Sequence, residues 1–98
     1  MDLIENNQLQ QERSEPCPGT LYIVGTPIGN LGDLSPRAKS ILKNVSLIAC
    51  EDTRRSGQLL KAIQSQVPLL SYHQHNYKSR EPKVLEILKS NGCVALIS

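Results

Sequence analysis

Four short, almost unbroken apolar runs alternate with three segments patterned at helical spacing, and this alternation leaves few folds open. The runs are Thr20–Val24, Ser46–Cys50, Pro68–Tyr72 and Cys93–Ile97. Each has the length of a strand, and continuous apolar character is expected of strands buried on both faces. The helix signals lie between them. Ser35 followed by Pro36 is an N-cap with proline at the first helical position. Ala38, Ile41, Leu42 and Val45 then fall on one apolar stripe. A second helix is predicted to start near Asp52 or Thr53 and to turn Leu59, Leu60 and Ile63 inward. A third is predicted to start near Ser79 or Glu81, with Pro82 in its first turn and Val84, Leu85 and Leu88 buried. Asn91 and Gly92 then supply residue types that tolerate a left-handed helix end. The order β-α-β-α-β-α-β predicts an α/β fold with a parallel sheet and right-handed crossovers.

Composition narrows the class further. With three Tyr and no Phe or Trp, the core is built from Leu, Ile, Val and Ala, which suits a helix-covered sheet better than an aromatic-rich sandwich. Residues 1–18 are polar, carry a net charge of −3 and read as a disordered tail. Residues 19–98 form the expected domain, with a net charge of +5. A basic globular part fits an RNA partner, although solvated basic faces are common. Cys17, Cys50 and Cys93 are far apart and form no CxxC pair, as expected for reduced thiols in a cytoplasmic protein. No apolar stretch approaches the roughly 20 residues of a membrane span, and the N-terminus does not have the pattern of a signal peptide.

In an open α/β sheet the ligand lies beyond the carboxyl ends of the strands, so the loops after the runs are the places to look for chemistry. After the first run comes Gly25-Thr26-Pro27-Ile28-Gly29-Asn30. It reads as a close-approach ligand loop or as a tight connection, and its spacing is neither GxGxxG nor that of a P-loop. After the second run, Glu51 and Asp52 face the ligand side, with Arg54 and Arg55 following. Asp52 or Thr53 could equally serve only to cap the helix. After the third run, His73, His75 and Asn76 form a polar cluster suited to a ribose hydroxyl or a phosphate. An HxH pair also suggests a metal, but no third ligand at suitable spacing is visible, so none is expected. Arg54, Arg55, Lys78, Arg80 and Lys83 gather positive charge around the same mouth, for phosphate contact or as a solvated surface. Glu51, Asp52, His73 and His75 can each accept a proton, and spacing does not choose among them. The chain stops at Ser98, at the carboxyl end of the fourth run, so the next site loop is expected to lie beyond it and the chain to be a fragment.

LYIVGTPIGNLGDLSPRA, LIACEDTRRSGQLL and PLLSYHQHN, in this order, closely resemble the amino-terminal part of RNA-modifying members of the tetrapyrrole methylase family. Relatives in that family methylate corrins and porphyrins. The resemblance covers residues 20–98 and implies the first of two α/β domains, with S-adenosylmethionine held in the cleft between them. It further implies methylation of a cytidine ribose 2′-hydroxyl in the 16S rRNA of the small ribosomal subunit, by a homodimer that needs no membrane. Gly25, Thr26, Pro27, Ile28, Gly29 and Asn30 match the cofactor-side loop. Asp52, His73 and His75 become candidates for catalysis, and Glu51, Arg54, Arg55, Asn76, Lys78 and Arg80 for substrate binding. The match departs at Gln74, where the family pattern has an acid. The family's DAG-containing loop would begin at position 99. The rival expectations are a methylase acting on a tetrapyrrole or a protein, and a non-catalytic nucleotide- or RNA-binding module.

Overall fold

A computed structural model describes residues 15–26 and 33–98. Seven elements follow in order: β1 (Leu21–Val24), α1 (Pro36–Asn44), β2 (Leu47–Cys50), α2 (Thr53–Ala62), β3 (Leu69–Ser71), α3 (Tyr77–Lys89) and β4 (Val94–Ile97). The strands form one fully parallel sheet in the order β1-β4-β2-β3, so the α/β fold and the parallel sheet expected from the alternation are present. The path from β1 through β2 to β3 crosses the sheet in one direction, and the step from β3 to β4 returns. With one hand of crossover, that reversal must move the connecting helix to the other face. α1 and α2 accordingly pack on one face, where Ile41, Leu42, Leu59 and Leu60 meet Val24, Ile48 and Ala95. α3 packs on the other, where Val84, Ile87 and Leu88 meet Leu47, Ala49 and Val94.

Local signals explain most of the boundaries. The Ser35 hydroxyl accepts the Ala38 N–H at 3.1 Å and Pro36 opens α1. Leu42, Ile48 and Val94 are sealed completely, and burial of each such side chain stabilises the fold by about 1.5–3 kcal/mol. At the end of α3, Asn91 takes the left-handed conformation, with φ of 66°. Gly92 has a different reason to be small. A Cβ there would come within 2.7 Å of Ile87 Cγ2 and 3.0 Å of the Ile87 carbonyl oxygen.

Three expectations are corrected. α3 starts at Tyr77, two to four residues before the predicted start, so Pro82 lies inside the helix and not in its first turn. Leu85 is not buried but 44% exposed, because α3 meets the sheet through Val84, Ile87 and Leu88, and Leu85 turns away from that line. β1 is an edge strand whose Leu21 and Ile23 are 45% and 63% exposed, because α3 covers β2, β3 and β4 but not β1. The segment expected as a tail over 1–18 enters the described structure at Glu15. There the Glu15 carboxylate accepts two hydrogen bonds from Arg37, and the Cys17 N–H donates to the Tyr22 hydroxyl at 2.8 Å. Gly19 donates its N–H to the Gly92 carbonyl. Among the described residues, no helix is long and apolar enough to cross a membrane.

Candidate functional site

Because all four strands run parallel, their carboxyl ends open at one edge of the sheet. Gly25 and Thr26 leave β1 there, and Thr26 is tied to the end of β4 by its amide and hydroxyl, which both donate to the Ser98 carbonyl. Glu51 and Asp52 leave β2 at the same edge. The chain beyond β3 stays beside β2, since the Tyr72 N–H donates to the Cys50 carbonyl at 2.8 Å. Thus Gly25 and Thr26, Glu51 to Arg55, and His73 to Asn76 emerge from one edge. Pro27, Ile28, Gly29 and Asn30 lie outside the described residues.

Gly25 opens onto space: a Cβ built there meets nothing within 4 Å among the described residues. Beside it lies a cavity of about 220 Å³, lined in part by Tyr22, Gly25, Ser35 and Arg37. That is smaller than the roughly 300–1,000 Å³ of typical ligand sites. Its polar lining is also engaged, Ser35 by the α1 cap and Arg37 by Glu15.

Asp52 does cap α2. Its Oδ1 accepts from the Arg54 N–H at 3.0 Å and the Arg55 N–H at 3.2 Å. This use leaves Oδ2 with no described partner, so capping and a contact at the mouth are compatible. Glu51 is exposed. Cys50 just before it is no nucleophile: burial pushes its thiol up, and a hydrogen bond with Ser56 only partly opposes this.

The loop from Ser71 to Asn76 is closed by Asn76. Asn76 Oδ1 accepts the His73 N–H at 2.8 Å, while Nδ2 donates to the Ser71 carbonyl at 3.2 Å and to its hydroxyl at 3.1 Å. The side-chain amide expected to contact substrate is therefore engaged within the loop. Ser71, whose two oxygens both serve here, is a residue that motif reading missed. The His73 and His75 rings sit edge to face, 5.8 Å apart. Among the described residues, no group of three or more His, Cys, Asp or Glu side chains comes together to hold a metal.

Arg54, Arg55, Lys78, Arg80 and Lys83 are all exposed. Arg54 and Arg55 lie in the first turn of α2, and Lys78 and Arg80 in that of α3. Among the described residues the one ion pair is Glu15 with Arg37, so none of these five cations meets an acid. Positive charge at a helix N-terminus opposes the helix dipole, at about 0.3–1 kcal/mol each. Helix stability does not account for four such cations at two adjacent helix starts.

Residues 20–94 match the family of Tetrapyrrole (Corrin/Porphyrin) Methylases. Among curated proteins, the chain is 50% identical over 80 residues to the Ribosomal RNA small subunit methyltransferase I of Synechocystis sp., covering 82% of this chain and 29% of that protein. It is 51% identical over 81 residues to the protein of the same name from Xylella fastidiosa, covering 83% and 30%. To that of Bacillus subtilis it is 49% identical over 80 residues, covering 82% and 27%. The chain thus spans under a third of the length of these three relatives.

Proposed function

We propose, since the chain belongs to the tetrapyrrole (corrin/porphyrin) methylase family, that it is the amino-terminal part of an S-adenosylmethionine-dependent RNA methyltransferase. Its substrate is the 16S rRNA of the small ribosomal subunit, and the acceptor is a cytidine ribose 2′-hydroxyl. The relatives' names support ribosomal RNA as substrate. The likeness of GTPIGN, EDTR and SYHxHN to the family's RNA-modifying members supports the acceptor. The observation that carries the reading is the set of cations at the starts of α2 and α3 that meet no acid among the described residues, on the edge where the site loops emerge. Residues 19–98 are the domain, and the remainder of the protein completes the cleft. Such a substrate goes with a cytoplasmic enzyme holding reduced cysteines.

Bound S-adenosylmethionine supplies a methyl group on a sulfonium, a leaving group that needs no further activation. The work left to this chain is positioning, which can lower a barrier by roughly 7–11 kcal/mol when geometry is good. Gly25 fits that task, because the space beside it at the carboxyl edge of β1 is open among the described residues. Thr26 fixes the loop to the end of β4. Arg54, Arg55, Lys78 and Arg80 hold RNA phosphates, with Glu51 beside them. Asp52 Oδ2 and the His75 ring can accept the proton of the ribose hydroxyl.

The test is methyl transfer from labelled S-adenosylmethionine by the whole protein, offered 30S subunits, free 16S rRNA or a corrin. Label in a 2′-O-methylcytidine of 16S rRNA is expected, and label in the corrin alone would overturn the reading. The paired change Arg54→Ala and Arg80→Ala should flatten the salt dependence of RNA binding, by about 0.7–0.9 in log–log slope for each phosphate no longer neutralised. An unchanged slope would return these residues to a solvated surface.

A further inference from the structure

His73 is held by its neighbours more completely than a surface loop requires. Its N–H donates to Asn76 Oδ1 at 2.8 Å, and its carbonyl accepts from the Asn76 and Tyr77 amides at 3.1 and 2.9 Å. Its ring is held as well, because the His75 N–H donates to His73 Nδ1 at 3.1 Å. A backbone N–H can only donate, so Nδ1 presents a lone pair, and the proton of the neutral imidazole sits on Nε2. Among the described residues nothing accepts from Nε2. The Asn76 amide is engaged on both sides: its oxygen accepts from His73 and its nitrogen donates twice to Ser71, so both of its donor bonds are spent within the loop. An aspartate could accept from His73 but would turn an oxygen toward the Ser71 carbonyl.

We infer that Asn76 is a positioning residue which, with the His75 amide, fixes His73 as a donor through Nε2–H to an oxygen of the bound RNA. With Nδ1 occupied and Nε2 protonated, His73 has no lone pair to take the proton of the ribose hydroxyl. Glu51, Asp52 and His75 are left as the acceptors. This division of roles rests on the RNA methyltransferase reading, but the tautomer does not.

Two measurements separate them. Long-range proton–nitrogen correlation on the whole protein, labelled at histidine, reads which ring nitrogen carries the proton. His73 is expected as the single Nε2–H tautomer. Asn76→Ala and Asn76→Asp should return it to a mixture while the backbone amide spectrum of the sheet is unchanged. A mixed or Nδ1–H His73 in the unaltered protein would overturn the inference. For the second measurement, His73→Ala should lower kcat/KM on 30S subunits about ten- to a hundredfold, the loss expected for a hydrogen bond to a charged acceptor, mostly through KM. His73→Gln places an amide N–H near the Nε2 position and should recover most of that loss with an unchanged pH profile. A Gln variant as slow as the Ala variant, with the acid limb of the profile gone, would make His73 the base and overturn the donor role. No methylation of RNA by the unaltered protein would overturn the reading of function, and the histidine spectrum would still decide the tautomer.

Discussion

At the scale of single residues, neighbouring positions carry quite different constraints. Asn91 bears the left-handed backbone, whereas Gly92 is needed for space between Ile87 and Ser46. Gly92→Ala is therefore expected to destabilise the fold by about 1–3 kcal/mol, as overpacking does, in denaturant unfolding of the whole protein. Asn91→Gly should be tolerated. An effect at 91 larger than at 92 would reverse this assignment. Both residues were legible as a helix end, but the close approach of Ile87 comes from the cap's own geometry, in which the Gly92 N–H donates to the Ile87 carbonyl at 2.9 Å, and residue types alone do not give that. The Glu15–Arg37 pair gives a residue-scale dependence on pH. Hydrogen bonds from Arg37 first, and its charge as well, hold the Glu15 carboxyl below the usual carboxylate range. A depressed carboxyl makes its contribution above the ordinary value and loses it as pH falls through the lowered one. The Arg37 guanidinium proton resonances should shift to their unpaired positions as acid is added through that window. Arg37→Gln should move the Glu15 midpoint upward. The melting midpoint should barely move, since exposed pairs contribute little. A Glu15 midpoint unmoved by Arg37→Gln would show that the pair does not form in solution.

At the scale of elements, helix starts marked by a side-chain cap were legible and those without one were not. α1 and α2 begin where Ser35 and Asp52 cap them, and both were placed from sequence. α3 begins after Asn76, which makes no side-chain cap because its amide is engaged with Ser71 and His73, and Pro82 suggested a later start. Inside α3, Pro82 has no N–H to offer the Lys78 carbonyl four residues back. Pro82→Ala should stabilise the protein by about 1–2 kcal/mol, the gain in helix propensity less the entropy returned to the unfolded chain. Unfolding in denaturant measures it, and a loss of stability would mean that the Pro82 ring itself packs against a neighbour. The site motifs were legible as runs of polar residues at strand ends. Their internal division of labour was not, because it depends on which amide meets which ring nitrogen.

At the scale of the whole molecule, one face of the sheet is only partly covered. An apolar run reads alike for a central strand and an edge strand, so the exposure of Leu21 and Ile23 could not be read from β1 itself. Residues 1–98 alone are expected to self-associate through this face and the unpaired edge of β1. Ile23→Thr should reduce that association in sedimentation and leave the thermal midpoint nearly unchanged. A variant that associates as before would direct attention to the edge rather than the face. The position of β4 bears on events during synthesis. Its place between β1 and β2 means that the last of these four strands to be made is the one that β1 pairs with, and each such pairing spans about 70 residues of chain. The sheet therefore cannot grow strand by strand behind the ribosome, and non-local parallel pairing is slow once it becomes possible. Stalled nascent chains should leave β1 open to protease until β4 has emerged from the ribosome and protect it abruptly after that. Until then Leu21 and Ile23 are exposed with β1 wholly unpaired, and this is the stage of the protein's life at which a holding chaperone has most to bind.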